Sequence, residues 1–386
     1  MSDNALRVIA VAYKDTSLNQ ISEQGMTFVG LMGISDPPRK EVPDAVKKCL
    51  GAGIKPVMIT GDNKITAQAI ARETGIPGKA ITGEEMKSIS DENLTEYSIF
   101  ARVTPADKVR IVKAYKRAGH IVAMTGDGVN DAPALENADI GCSMGKNGTD
   151  VAKEASDLIL ADDNFATIVS AAAEGRGIFE NIKKSIKFLL SSNIGEILSV
   201  FTGMLLSWEA PLAATQLLWV NLITDSLPAL SLGVDPVDDD IMTRPPRNPK
   251  DGIFKNMWSS IVLEGIMIGM LSVIAYSIGR IISPENAQVP RTMCFSVLAL
   301  SQLFHAFNMC SEASIMGRKF FRNKFLVMSL LAGCILQVCV VNVPILSGIF
   351  KTAPLGLSQW GIVFGLSVVP IVIVELQKLF SRVSEK

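Results

Sequence analysis

TGDGVNDAPAL, Thr125–Leu135, places two carboxylates directly after a short apolar run, and this stretch is the most informative in the chain. Asp127 and Asp131 stand four residues apart, glycines flank Asp127 on both sides, and residues 120–124 before them read HIVAM. An apolar run that ends in Thr-Gly-Asp-Gly and leads into a helix predicts an acid at the carboxyl edge of a sheet, where open α/β sheets bind ligands. A carboxylate there suits Mg²⁺, which takes one or two carboxylates together with phosphate oxygens. Two acids alone would be ordinary, because Asp and Gly are common turn residues.

Composition divides the chain into a soluble half and a membrane half. Its 386 residues allow two or three domains. Hydrophobic residues make up 48% of the chain, and the mean hydropathy of +0.31 is high for a purely soluble protein. Residues 1–180 are mixed and charged, whereas residues 185–380 contain long apolar runs. Because the net charge is only −1, no overall field favours nucleic acid. We therefore expect membrane lipid, and no nucleic acid, among its partners.

Apolar, β-branched runs alternate with helical patterns in the soluble half, which predicts an α/β, Rossmann-like domain with a parallel sheet. The predicted strands are residues 28–34, 56–60, 99–103, 121–125, 140–143 and 158–160. The predicted helices are residues 40–52, 64–74, 105–118, 132–137 and 150–155.

Two further strand ends carry polar groups that suit a phosphoryl group. In MITGDN, residues 58–63, Thr60 and Gly61 would present a hydroxyl and a backbone N–H, although a TGD turn alone is more often only a turn. In ARVTPADK, residues 101–108, Lys108 falls in the first turn of a helix that Pro105 opens. A cation there opposes the helix dipole, so a point charge on a phosphate is one explanation and an exposed lysine is the other.

The string Thr125–Leu135 resembles the hinge motif of the P-type ATPases, ion pumps with a haloacid dehalogenase-like phosphorylation domain. Thr60, Lys108 and the Asp127/Asp131 pair are similar to three motifs of that superfamily, in the same order. The resemblance implies ATP as the phosphate donor and these roles for single residues: Asp127 binds Mg²⁺; Asn130 and Asp131 fix its loop; Lys108 and Thr60, with Gly61 and Asp62 of the same motif, hold the phosphoryl group.

The family's phosphorylated aspartate lies in a DKTGT motif that does not occur in these 386 residues. The resemblance therefore implies the carboxyl-terminal part of a pump: residues 1–25 end a nucleotide-binding domain, residues 26–177 belong to the phosphorylation domain, and residues 178–386 form a membrane domain. We expect that the chain alone does not phosphorylate itself and that its partner is the amino-terminal part of the pump. The alternative is a catalytically inactive pump remnant or a regulatory membrane protein.

Six apolar segments of about 20 residues predict an all-α domain of six transmembrane helices. They are residues 186–206, 212–234, 261–281, 292–309, 325–343 and 360–379. Basic residues collect at alternate connections: Lys183, Lys184, Lys187, Arg244, Arg247, Lys250, Lys255, Arg318, Lys319, Arg322, Lys324, Arg382 and Lys386. The positive-inside rule then places both ends and the soluble half in the cytoplasm. We expect a multi-pass protein of a bacterial plasma membrane, because the loops are short.

The helix leading into the first span is expected to be long, since no proline interrupts residues 164–206. A continuous helix of this length would extend about 60 Å. The alternative is two helices that break near the glycines at 175 and 177.

Polar residues inside the first two spans indicate an ion path, because charge at membrane depth is costly. Asn193 and Glu196 share a helix face in the first span. The second span carries Asn221, Thr224 and Asp225. Pro228 is expected to break the helix beyond them and free backbone carbonyls. Oxygen ligands of these kinds suit Ca²⁺, whereas interhelical hydrogen bonding is the alternative for Asn193 or Thr224 alone.

The segment LLWVNLITDSLPALSLGVDPVDDDIMTRPPR, Leu217–Arg247, resembles the type II calcium pumps. The resemblance implies that the five polar residues of the first two spans are calcium ligands. The fourth span differs, since Gln302, which we also expect to be a ligand of the transported cation, stands where one branch of the family has a glutamate. We therefore expect one Ca²⁺ per cycle, while the sequence does not separate Ca²⁺ from Mn²⁺.

Overall fold

The computed structural model describes residues 6–15, 24–34, 37–255, 257–310 and 321–384. Parts of the predicted end of the nucleotide-binding domain, residues 1–5 and 16–23, lie outside the described residues, as do Arg318, Lys319 and Lys386. The chain divides into two compact units. The first comprises residues 1–174 with 239–249, and the second comprises residues 175–238 with 250–386.

The first unit contains one antiparallel hairpin and two parallel three-stranded sheets among its described residues. Strands β1 (Arg7–Tyr13) and β2 (Thr27–Ile34) pair antiparallel. Strands β3 (Met58–Thr60), β4 (Lys79–Thr82) and β5 (Tyr97–Ala101) form a sheet in the order β3-β5-β4. Strands β6 (Ala123–Gly126), β7 (Ile140–Met144) and β8 (Leu158–Leu160) form the other in chain order. The predicted parallel α/β architecture is confirmed.

Helices connect these strands, five of them at the predicted places. They are α1 (Val42–Gly51), α2 (Lys64–Thr74), α3 (Gly83–Met86), a 3-10 helix (Asp91–Glu96), α4 (Pro105–Arg117), α5 (Ala132–Asn137) and α6 (Asp150–Glu154). Helix α3 and the 3-10 helix were not predicted. The apolar pattern did not predict β4, because a four-residue strand with two apolar residues shows no clear alternation. Strand β5 ends at Ala101, two residues before the predicted end, because Arg102 adopts a left-handed conformation with φ of 50°.

Helix α4 carries apolar side chains for both parallel sheets. Thr104 and Asp107 form a capping box around its first turn, and Pro105 occupies the first helical position, where a missing N–H costs nothing. Ile111 packs in one buried cluster with Phe100 of β5, while Val112 packs in another with Met124 of β6. One helix therefore fixes the strand ends of both sheets relative to its own first turn.

Helix α7, Phe165–Leu205, is continuous over 41 residues and extends about 60 Å, and its residues 175–205 belong to the second unit. The expected length is confirmed, and the alternative break near residues 175–177 is wrong. Gly177 is instead a packing position, since an added Cβ would lie 2.3 Å from a methyl carbon of Val237.

The second predicted span is not one regular helix. It consists of α8 (Ala214–Trp219), a π-helical turn (Val220–Thr224) and α9 (Ser226–Gly233). The prediction that Pro228 breaks the helix is wrong, because Pro228 lies in the first turn of α9, where a backbone N–H has no intrahelical acceptor. The irregular backbone lies before the proline, at the polar residues themselves.

The remaining helices are α10 (Trp258–Ile282), α11 (Gln288–Met309), α12 (Lys324–Asn342), α13 (Pro344–Phe350) and α14 (Leu357–Ser384). Within the described part of the chain, four helices are long and apolar enough to cross a membrane: α7, α10, α12 and α14. Helix α11 has 22 residues but carries several polar side chains, and most of its residues are buried by neighbouring helices. Six spans remain a prediction.

Replacement of Leu135 tests the packing that fixes α5 beside β6. Leu135 is 1% exposed, so L135A should destabilise the first unit by about 2 kcal/mol or more. Burial raises the pKa of the Cys142 thiol on β7 and keeps it unreactive. Labelling of Cys142, followed by peptide mass spectrometry, should therefore become roughly 30-fold faster in L135A. The exposed neighbour variant E136A should label at the original rate, and equal rates in both variants would contradict this packing.

Candidate functional site

The loop between β6 and α5 is held by Asp131, which immediately precedes α5. Its backbone N–H donates to the carbonyl of Gly128 at 2.9 Å, and its Oδ2 accepts from the N–H of Gly128 at 3.3 Å. Asp131 is buried, whereas Asp127 and Asn130 are exposed on the same loop. The two carboxylates therefore have different roles: one fixes the loop and the other faces outward.

Position 126 must be a glycine because its backbone lies very close to the side chain of Asp131. A Cβ at position 126 would lie 2.4 Å from the Cβ of Asp131, whereas a Cβ at Gly128 would meet nothing closer than 3.7 Å. The first glycine of the motif therefore makes room for the aspartate, and the second is not needed for space.

Lys108 reaches the loop from α4 and pairs with Asp131. The Nζ of Lys108 lies 2.5 Å from the Oδ1 of Asp131, and their side chains are 19% and 10% exposed. Asp107, in the capping box, places a negative charge at the amino end of α4, which offsets the unfavourable position of the lysine in the helix dipole. Lys108 is thus neither a freely exposed lysine nor a helix-stabilising one, and it adds positive charge to the loop.

Thr60, Gly61 and Asp62 form a separate turn at the end of β3. The hydroxyl of Thr60 donates to the Oδ2 of Asp62 and accepts from its backbone N–H, each at 3.1 Å. Gly61 and Asp62 are exposed. Among the described residues, no hydrogen bond joins this turn to Lys108 or Asp127. Strands β3 and β6 are edge strands of different sheets, so the structure brings Lys108 and Asp131 together but leaves Thr60 in its own group.

Thr149 was missed by the sequence analysis. Its backbone N–H donates to the carbonyl of Asp127 at 2.8 Å, and its side chain caps α6. The sequence Thr149-Asp150 before a short helix is a recognisable cap signal, but nothing local relates it to Asp127. The described residues contain no group of three His, Cys, Asp or Glu side chains placed to hold a metal. The exposed carboxylate oxygens of Asp127 nevertheless fit a Mg²⁺ ion that takes most of its ligands from phosphate and water.

In the second unit, Glu196 joins three elements. Its Oε2 accepts from Nδ2 of Asn221 in the π-helical turn at 2.8 Å, and its Oε1 accepts from Nε2 of Gln302 on α11 at 3.4 Å. Glu196 is 5% exposed and Gln302 is fully buried. The structure therefore brings together three of the predicted cation ligands.

Asp225 provides buried acceptor oxygens beside this group. It is 1% exposed, and it directly follows the π-helical turn that carries Asn221. Neither carboxylate oxygen of Asp225, nor Oε1 of Gln302, has a hydrogen-bond donor among the described residues. Buried acceptors without donors each cost about 1–3 kcal/mol. An oxygen-seeking cation would remove that cost, so these atoms fit a cation site.

The other two predicted ligands are less directly connected. Thr224 is fully buried, and its hydroxyl donates to the carbonyl of Val220 at 3.0 Å. Asn193 is half-buried on α7. The N–H of Asp225 bonds to the carbonyl of Val220 at 2.9 Å, the wide spacing of a π turn. Such turns are frequent at functional sites, and this one could not be read from apolar periodicity.

Each of the two units contains a segment that matches a known protein family. Residues 5–139 match the haloacid dehalogenase-like hydrolases, and residues 209–380 match the carboxyl-terminal domain of cation-transporting ATPases. A protein with a phosphorylation-type α/β domain and this membrane domain belongs to the P-type cation-transporting ATPases, and the chain is a member of that family. It is an integral membrane protein.

Its relatives include calcium-transporting ATPases of bacteria. The chain is 47% identical to calcium-transporting ATPase 1 of Bacillus cereus, over 99% of this chain and 46% of the relative. It is also 47% identical to the calcium-transporting ATPase of Bacillus subtilis, over 96% of this chain and 43% of the relative. The Lactococcus lactis calcium-transporting ATPase 1 is 41% identical over 100% of this chain. The chain spans about half the length of these curated relatives.

The two glycines of the loop form a matched pair of test positions. G126A should displace Asp131 and loosen the start of α5, because its Cβ would overlap the aspartate. Hydrogen exchange of the Ala134 and Leu135 amides, which bond to the carbonyl of Asp131, should then accelerate by at least about tenfold, equivalent to about 1.4 kcal/mol. G128A should leave exchange unchanged, and equal protection in both variants would show that Gly126 is not needed for space.

Proposed function

We propose that this chain is the carboxyl-terminal part of an ATP-driven pump that transports Ca²⁺. The observation that carries this proposal is the group of buried oxygens on Glu196, Asp225 and Gln302 in the same chain as the Lys108–Asp131 loop. The names of the relatives support calcium as the cargo. Mn²⁺ accepts the same oxygen ligands and is the nearest alternative.

The first unit would handle the phosphoryl group. Lys108 supplies positive charge that Asp131 holds in place, and the hydroxyl of Thr60 with the N–H of Gly61 would bind phosphoryl oxygens. The outward-facing Asp127 would hold Mg²⁺, with Asn130 beside it on the same loop, and the loop contacts of Asp131 and Thr149 would steady it. Bound Mg²⁺ would neutralise charge that develops on the transferring phosphate.

We propose that the phosphorylated aspartate comes from a segment outside these 386 residues. The chain contains no DKTGT motif, and its relatives are about twice as long. Edge strands β3 and β6 each have one strand partner and end at the Thr60 turn and the Asp127 loop, respectively. A strand that brought an aspartate between these two ends would complete the site.

The second unit would bind the transported cation between α7, the π-helical turn and α11. Glu196 and Asp225 supply the negative charge, and Asn193, Asn221, Thr224 and Gln302 supply neutral oxygens. The amide of Asn221 must turn to offer its oxygen, because its nitrogen now donates to Glu196. Asn221 is exposed, so the cation would be accessible from that side. Further ligands from the rest of the pump would complete the coordination of the cation. We further propose a bacterial plasma membrane with the first unit in the cytoplasm.

A chimera tests the assignment of the two carboxylate groups. This chain would be joined to the amino-terminal half of the Bacillus subtilis relative, and phosphoenzyme would be measured with ATP and with inorganic phosphate. D225N should lose Ca²⁺-dependent phosphorylation by ATP but retain phosphorylation by phosphate, because only the cation site is changed. D127N should lose both reactions.

Two exposed carboxylates serve as controls. E209Q, in the connection after α7, and E136Q, on α5, should each keep both reactions within about twofold, since surface changes have small effects. Calcium-stimulated phosphorylation that survived D225N would refute the cation-site assignment. An unmodified chimera that formed no phosphoenzyme would favour the alternative, an inactive or regulatory remnant.

We propose one Ca²⁺ per cycle, and the chemistry of position 302 supports this number. Gln302 uses its amide nitrogen on Glu196 and adds no charge, so the two carboxylates Glu196 and Asp225 balance a single divalent cation. The active chimera in sealed vesicles should transport one Ca²⁺ for each ATP hydrolysed, measured with radioactive calcium and phosphate release. A ratio of two would contradict the single-ion proposal.

A further inference from the structure

Gln337 of α12 is fully buried and belongs to none of the predicted sites, yet its side chain joins α8 to α11. Its Oε1 accepts from the indole Nε1–H of Trp219, the last residue of α8, at 3.2 Å. Its Nε2 donates to the hydroxyl of Ser296 on α11 at 3.4 Å. Because an indole N–H can only donate, the amide oxygen of Gln337 must face Trp219 and the amide nitrogen must face Ser296.

The hydrogen bond between Gln337 and Trp219 lies in apolar surroundings. Trp219 packs against the buried cluster that contains Val220 of the π-helical turn and Val340 of α12. Its ring also meets the ring of Phe350 edge-on, with the centroids 5.0 Å apart. A hydrogen bond is stronger where water is excluded, so this contact fixes the end of α8 firmly at the point where the π-helical turn begins.

Helix α12 also holds the other side of the π-helical turn. The hydroxyl of Ser329 donates to the carbonyl of Leu227 on α9 at 3.1 Å and lies 2.7 Å from the hydroxyl of Ser231. Ser329 and Gln337 are eight residues apart, and so are their partners, in the opposite order along the chain. The regular helix α12 therefore lies antiparallel to the irregular segment and is bonded to it before and after the turn.

Glu196 and Gln337 connect the same two parts of the second unit from different helices. Glu196 of α7 accepts from Asn221 of the turn and from Gln302 of α11. Gln337 of α12 bonds to the residue before the turn and to α11. The contact between Glu196 and Asn221 would be given up when a cation binds, because that amide must turn to offer its oxygen. The contacts of Gln337 need not change, since Gln337 is not among the proposed ligands.

We propose that Gln337 is a positioning residue for the cation site. It holds residues 219–227, which carry three of the proposed ligands, against α11 both before and after a cation displaces Asn221 from Glu196. Ser329 holds the far end of the same segment. Ligands that are already ordered bind more tightly, because less conformational freedom is lost on binding. This inference rests on the proposed function, since a positioning residue needs a cation site to position.

The test removes the hydrogen bond from each side in turn. Q337M keeps the length of the side chain but can neither accept from Trp219 nor donate to Ser296. W219F keeps an aromatic ring and removes the indole N–H. Q288M makes the same Gln-to-Met change at an exposed position of α11 and serves as the matched control. Each variant would be made in the chimera with the amino-terminal half of the Bacillus subtilis relative.

The measurements are the Ca²⁺ concentration that gives half-maximal phosphorylation by ATP and the maximal phosphoenzyme level. Q337M should raise the half-maximal Ca²⁺ concentration about tenfold, because the ligands must then be ordered as the cation binds. Its maximal level at saturating Ca²⁺ should stay within about twofold of that of the unmodified chimera, and so should its phosphorylation by inorganic phosphate without Ca²⁺. Q288M should change none of these quantities.

The double variant Q337M/W219F tests whether Gln337 acts through Trp219. It should raise the half-maximal Ca²⁺ concentration no further than the larger of the two single effects, since both substitutions remove the same contact. Single effects that multiply in the double variant would show that the two residues act independently, and the proposed pathway through Trp219 would be wrong.

A half-maximal Ca²⁺ concentration that Q337M leaves unchanged would overturn the positioning role without affecting the proposed pump function. So would a lower maximal level in both phosphorylation reactions at an unchanged half-maximal concentration, which is the result that a damaged fold produces. An unmodified chimera that forms phosphoenzyme without responding to Ca²⁺ would overturn the cation site and the positioning role together.

Discussion

The second unit depends on one constraint: a carboxylate buried among helices must find donors or a cation. Glu196 meets it by accepting from Asn221 and Gln302, which ties α7 to the π-helical turn and to α11. Asp225 does not meet it within the described residues. Because an uncompensated buried charge is costly, we propose that a bound cation compensates Asp225.

The same principle separates the two acids of the soluble unit. Asp131 is buried and pays its desolvation by pairing with Lys108 and the Gly128 N–H, so it shapes the loop. Asp127 stays exposed and can meet a metal ion. A third buried acid, Glu264, accepts a hydrogen bond from Lys187 at 2.7 Å.

Local sequence patterns predicted the parallel α/β domain, most of its helices and the long helix α7, because these depend on short-range periodicity and on the absence of proline. They failed where backbone geometry depends on neighbours. The π-helical turn precedes Pro228 rather than following it. Apolar periodicity carries no local signal for such a turn.

The sequence alone determined the chemistry that is available: two acids in a Thr-Gly-Asp-Gly turn, a lysine opening α4, and polar residues within apolar spans. These chemical groups are set by residue type and by spacing along the chain, and folding changes neither. Only the tertiary structure decided their partners. It paired Lys108 with Asp131 rather than with Thr60, joined Gln302 to Glu196, and set His305 between Glu264 and Asn308. Such pairings require helices and strands far apart in sequence to pack at ångström distances, and no local pattern encodes that geometry.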